Sequence, residues 1–114
     1  MADLEFEPVF ALADLPPGRM RACTIGGRSV LLCHTKDGLH AVDNICTHAF
    51  AQLAEGRLRG HKLDCPLHGA VFDVRDGRVL KGPATEPLPV HHLRVNGGQV
   101  EVALDPAAPA QEAP

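Results

Sequence analysis

Residues 46–48 read Cys46-Thr47-His48, and after sixteen intervening residues the chain reads Cys65-Pro66-Leu67-His68-Gly69. The pattern is C-x-H followed by C-x-x-H: two tight pairs, each of one sulfur and one nitrogen donor. Thiolate is the usual ligand of iron–sulfur clusters, and neutral imidazole also binds iron. A structural zinc takes the same four donors, but its sites usually open with a C-x2–4-C pair, which C-x-H does not supply. Two readings follow from the donors alone. An iron–sulfur centre would make the protein an electron carrier, whereas a zinc would make it a small interaction module.

Outward from these pairs, turn-forming dipeptides cut the chain into short apolar runs. They are Gly26-Gly27, Asp37-Gly38, Asp76-Gly77 and Asn96-Gly97. Strand character lies between them at 20–25, 29–34, 39–42, 70–74, 90–95 and 99–104, with another strand near 9–12. Short strands so spaced predict an all-β antiparallel barrel or sandwich. Only 52–55 has the character of a helical turn. The ligand pairs fall between strands, in loops 46–51 and 65–69, where a rigid β scaffold can present them from two directions. Residues 1–104 read as one domain, with its ligand-bearing part at about 44–84, and 105–114 (Asp-Pro-Ala-Ala-Pro-Ala-Gln-Glu-Ala-Pro) as a disordered tail. A two-residue turn at Gly26-Gly27 pairs Cys23 with Val30 and Cys33 with Met20. The two cysteines are therefore not cross-strand partners, and both read as free thiols behaving as small hydrophobes.

Composition narrows the function. The 114 residues carry a net charge of −3, which argues against a nucleic-acid partner. No apolar run reaches 18 residues, so no membrane span is expected. The N-terminal Met-Ala-Asp-Leu-Glu-Phe-Glu is acidic where a secretory signal would be basic and then apolar, so a cytoplasmic location is expected. Four cysteines in a reducing cytoplasm are better used as ligands or core residues than as disulfides. His34, His40, His61, His91 and His92 lack ligand spacing to a cysteine and read as surface or satisfied polar groups. His91 and His92 should point to opposite faces of a strand. Asp3, Glu5, Glu7, Arg57 and Arg59 read as solvated charge.

The two motifs, with Gly69 after the second and Gly82-Pro83-Ala84 further on, resemble those of Rieske [2Fe–2S] proteins over roughly residues 3–104. The resemblance implies a Rieske-like fold with a two-loop cluster-binding subdomain and a proline loop against the cluster. It assigns Cys46 and Cys65 to one iron, and His48 and His68 to the other. Two ferric ions, two sulfides and two thiolates make a neutral centre, where four thiolates would make a dianion, so reduction is easier. High-potential members carry an extra Cys in each loop and Ser and Tyr hydroxyls beside the cluster. The matching positions here are Ala51, Leu67, Ala70 and Phe72. Without a bridge or those hydrogen bonds, the potential is expected at the low end of the range, near about −150 mV.

The chain most resembles the ferredoxins of bacterial aromatic ring-hydroxylating dioxygenases. That implies an electron carrier rather than an enzyme. Its partners would be a flavin or iron–sulfur ferredoxin reductase and a terminal oxygenase with its own Rieske centre. A Rieske-type small subunit of a nitrite reductase is the alternative within the same cofactor class. Ala49, Phe50, Ala51, Leu67, Gly69 and Pro83 are the expected docking rim around His48 and His68.

Overall fold

The computed structural model describes residues 4–47, 51–67 and 69–111. Within them the chain forms ten strands: β1 (Glu7–Ala11), β2 (Met20–Ile25), β3 (Arg28–Thr35), β4 (Gly38–Asp43), β5 (Arg57–Arg59), β6 (Lys62–Asp64), β7 (Val71–Asp73), β8 (Val79–Lys81), β9 (Val90–Asn96) and β10 (Gln99–Ala103). Six of them make a nearly closed, barrel-like sheet in the order β1-β10-β9-β4-β3-β2, and the other four a small sheet, β5-β6-β7-β8. The all-β class is as expected. A single 3-10 turn at Leu53–Glu55 stands where the helical turn was predicted.

The β3 sequence explains how the two sheets join. Val30, Leu31, Leu32 and Cys33 are all fully buried, an apolar run rather than an alternation. Successive side chains point to opposite faces. Val30 and Leu32 enter the barrel core with Phe10, Ile25, Ala41 and Val100. Leu31 and Cys33 enter a second core with Val42, Leu63, Phe72 and the ligand cysteines. The β3–β4 wall therefore belongs to both cores, and it holds the small sheet rigidly against the barrel.

Turn chemistry sets the registers. Gly26 and Gly27 take φ of 54° and 81°, a two-residue turn that pairs Cys23 with Val30 and Cys33 with Met20 as predicted. The last hairpin turns at Gly97-Gly98, one residue beyond the expected dipeptide, because Asn96 already pairs with Gln99. Gly77 has φ +79°, and a Cβ there would lie 2.1 Å from the Leu88 carbonyl oxygen. Its amide donates to Asp73 O at 2.7 Å and its carbonyl accepts from Leu88 N–H at 2.8 Å. That residue thus seats the returning 86–89 segment against the small sheet.

Strands β5, β6 and β8 are absent from the sequence reading. Each spans three residues and offers one inward side chain or fewer, so no alternation develops. The register aligns Leu58, Leu63, Phe72 and Val79 in one row across the sheet. Of the expected tail, 112–114 lie outside the described residues. Residues 105–111 run back along the barrel, where Gln111 clasps the Ser29 backbone, accepting from its N–H at 2.7 Å and donating to its carbonyl at 2.8 Å.

Candidate cluster-binding site

Two loops of matching construction carry the ligand motifs. The first leaves β4 through Asn44. Ile45 bridges to Gln52, and the Cys46 amide donates to Ala51 O at 2.8 Å. The second leaves β6, and the Cys65 amide donates to Ala70 O at the same distance before β7 begins. In both, the cysteine N–H reaches five residues ahead and closes the loop at its base. Cys46 and Cys65 are 2% and 4% exposed.

The two thiols lie within hydrogen-bond contact of each other and are not oxidised to a disulfide. Burial raises the pKa of Cys65, while the Leu67 amide, donating to its sulfur, acts the other way. A metal binding there displaces the thiol proton. Two convergent, unbridged thiols in an apolar enclosure match the sulfur half of an iron–sulfur site. His48 and His68, and the expected rim residues Ala49 and Phe50, lie outside the described residues.

A third segment closes on these loops. The Thr47 hydroxyl donates to Glu86 O at 2.7 Å, tying the first loop to 84–89. Ala84 is buried in the same core as the two cysteines, after a cis Gly82–Pro83 bond. Of the expected rim, Leu67 is 47% exposed, Gly69 and Pro83 are exposed, and Ala51 is half-buried. Ala70 and Phe72 are both fully buried, Ala70 at the foot of the second loop.

Sequence reasoning missed the polar network beneath the first loop. Asn44, 0% exposed, accepts from Ala54 N–H at 2.8 Å through its side-chain oxygen and donates to Ser29 Oγ at 3.0 Å. Its carbonyl takes Leu53 N–H at 2.6 Å. The residue therefore joins both ends of the loop to β3. Next to it, Arg28 donates twice to the Asp43 carboxylate, at 2.7 and 2.6 Å. His91 accepts the Asp105 N–H at Nδ1, so its Nε2 carries the proton and donates to Asp43 at 2.7 Å. Burial pushes the Asp43 carboxyl up, and the bonds from His91 and Arg28 outweigh that, holding it below the usual range.

Four of the remaining histidines fall as expected, and His40 does not. His91 is buried and satisfied, and His92 faces out. His34 bonds Leu15 O at 2.6 Å, and His61 lies 3.8 Å from Asp73. Only the buried Nε2 of His40 has no partner among the described residues. Of the other thiols, Cys33 is buried, which pushes it up to about 12, while Cys23 is only partly buried.

Residues 5–93 match the Rieske [2Fe-2S] domain. The chain belongs to the Rieske [2Fe–2S] family. Its cofactor is one Rieske-type [2Fe–2S] cluster, which sets the zinc reading aside. It is 34% identical over 94 residues to the ferredoxin component of a naphthalene 1,2-dioxygenase system from Pseudomonas aeruginosa, covering 82% of this chain and 90% of that one. The ferredoxin of carbazole 1,9a-dioxygenase from Nocardioides aromaticivorans superposes with a TM-score of 0.83 at 31% identity, covering 88% of this chain and 98% of that one. A complex of reduced oxygenase and oxidised ferredoxin in carbazole 1,9a-dioxygenase gives 0.82 at 34%, covering 89% and 94%. A putative nitrite reductase small subunit from Mycobacterium tuberculosis gives 0.77 at 28%, covering 90% and 96%. This Rieske chain is an electron-transfer protein and not itself a catalyst. Among the described residues no helix is long and apolar enough to cross a membrane.

Proposed function

We propose that this chain is the ferredoxin of an aromatic ring-hydroxylating dioxygenase system. It takes single electrons from a flavin or iron–sulfur reductase and delivers them to a terminal oxygenase with its own Rieske centre, in the cytoplasm. The observation that carries the reading is the 34% identity to a ferredoxin component of such a system, over 82% of this chain and 90% of that one. Cys46 and Cys65 hold one iron, and His48 and His68 the other. The first pair's burial and mutual contact support this division. The cluster supplies a one-electron couple. The buried Cys46 and Cys65 would keep its sulfur side dry.

Ala70 and Phe72 bring no hydroxyl to that side, which supports a low potential, near about −150 mV. The half-exposed Leu67 and exposed Pro83 give partners a small apolar rim, suited to weak, transient redox complexes burying under about 1,200 Å².

The test is reconstitution. With a flavin reductase, NADH and a dioxygenase oxygenase, the loaded protein should support product formation that stops when it is omitted. Failure to be reduced or to reduce the oxygenase, with tight co-purification of a large sirohaem enzyme, would move the assignment to a nitrite reductase subunit. The likeness to such a subunit, at lower identity and TM-score, favours that reading less.

A further inference from the structure

Charge is unevenly spread in this chain. Residues 56–82 carry six Lys or Arg against three Asp, a net +3, while the rest carries five against eleven Asp or Glu, a net −6. The positive segment is the small sheet and its loops, β5 to β8. Its inner face is apolar, formed by Leu58, Leu63 and Phe72. Alternation therefore turns Arg57, Arg59, Lys62 and Lys81 outward, and Arg75 and Arg78 stand exposed beside them.

The three aspartates do not neutralise this face evenly. Asp73 is buried beneath Arg75, which donates to it at 2.8 Å, and Arg78 lies 3.5 Å away. Asp64 is taken by Arg59 at 2.7 and 2.8 Å. Arg57, Lys62 and Lys81 make no ion pair among the described residues. Lys62 sits directly across the strand pair from Arg59. On its other side Lys62 faces the buried Asp73, which Arg75 already holds. Arg57 and Lys81 occupy one row of the register at opposite edges of the sheet, three strand spacings of about 4.8 Å apart. The face is continuous with the site, because β6 runs into Cys65 and β8 into Gly82-Pro83.

We propose that the outer face of the four-stranded sheet docks a carboxylate-rich surface of a redox partner protein. The proposal rests on the electron-carrier reading given above. The sheet's +3 against −6 elsewhere gives the molecule a directional field, so an acidic partner meets the cluster-bearing end first although the whole chain is acidic.

The test is voltammetry of the full, cluster-loaded chain on gold bearing a carboxylate-terminated monolayer, with adsorbed mass recorded in parallel. A reversible wave is expected at low salt, at least about tenfold weaker near 0.5 M salt, where charges are screened within a few ångströms. The combined Arg57→Glu, Lys62→Glu and Lys81→Glu variant should lose the wave at low salt while keeping the native visible spectrum and solution potential. No wave from a protein with an intact spectrum, a wave that the variant retains, or an equal wave on an amine-terminated surface would each overturn the proposal. If the triple variant fails to hold its cluster, Lys62→Gln and Lys81→Gln decide instead. Each should cut adsorption about two- to threefold at low salt, and unchanged adsorption refutes the proposal. A protein that carries no iron would sink the carrier reading, whereas adsorbed mass alone would still decide the patch.

Discussion

Replacing Asn44 by Ala should loosen the first ligand loop without touching a ligand. The side chain is fully buried and makes two hydrogen bonds, at 2.8 Å from Ala54 N–H and 3.0 Å to Ser29 Oγ. Truncation leaves the Ala54 amide without its acceptor, at a cost of about 1–3 kcal/mol, and removes a second neutral bond worth about 1 kcal/mol. The sum is about 2–4 kcal/mol. With a urea dependence of about 2 kcal/mol per molar, the unfolding midpoint should fall by about 1–2 M. Because Ala54 and Leu53 close the loop that begins at Cys46, visible absorbance should bleach at lower urea than far-UV circular dichroism reports loss of the barrel. Ser29→Ala removes only the second bond and should cost about 1 kcal/mol. Equal midpoints for the two variants, or coincident bleaching and unfolding, would refute the view that Asn44 clamps the loop.

Cys46→Ser or Cys65→Ser should abolish the visible spectrum while circular dichroism keeps its β signature, and a retained cluster would remove that residue from the ligand set. Ala70→Ser places a hydroxyl at the fully buried foot of the second loop and should raise the potential by tens of millivolts in a redox titration. An unchanged value would mean that the hydroxyl reaches no sulfur. Gly77→Ala puts a methyl 2.1 Å from Leu88 O at a positive φ, so little folded protein should be recovered, and native-like yield and thermal midpoint would contradict the close approach. The bonds from Arg75 hold the Asp73 carboxyl near about 2, below its ordinary value of 3.8, so the unfolded chain binds its proton first. The stability this group contributes is therefore complete above about pH 4 and is lost as pH falls through about 2. The urea midpoint of the native protein should drop more between pH 5 and about 2.5 than that of Asp73→Asn, and equal slopes would disprove the linkage.

What the sequence determined by itself was local. The donors sit two and three residues apart, Gly26-Gly27 specifies its own turn, and the resulting register places Cys23 opposite Val30. Such features depend on backbone preferences and covalent spacing, which neighbours in the chain carry with them. The class followed, because strands β2, β3, β4, β9 and β10 are long enough to show their pattern. Tertiary structure decided the rest. It brought Cys46 and Cys65, nineteen positions apart, into thiol contact, placed Asn44 under the loop, and seated His91 on Asp43 across 48 positions. It built three strands from triplets such as Arg57-Leu58-Arg59, in which one leucine faces the core and the flanking charges hide the period. It also drew Gln111 back to Ser29, where a run of prolines and alanines suggests only a tail. These contacts join residues that are distant along the chain. Their free energy comes from burial and pairing in the assembled core, and it leaves no periodic trace in the segments themselves.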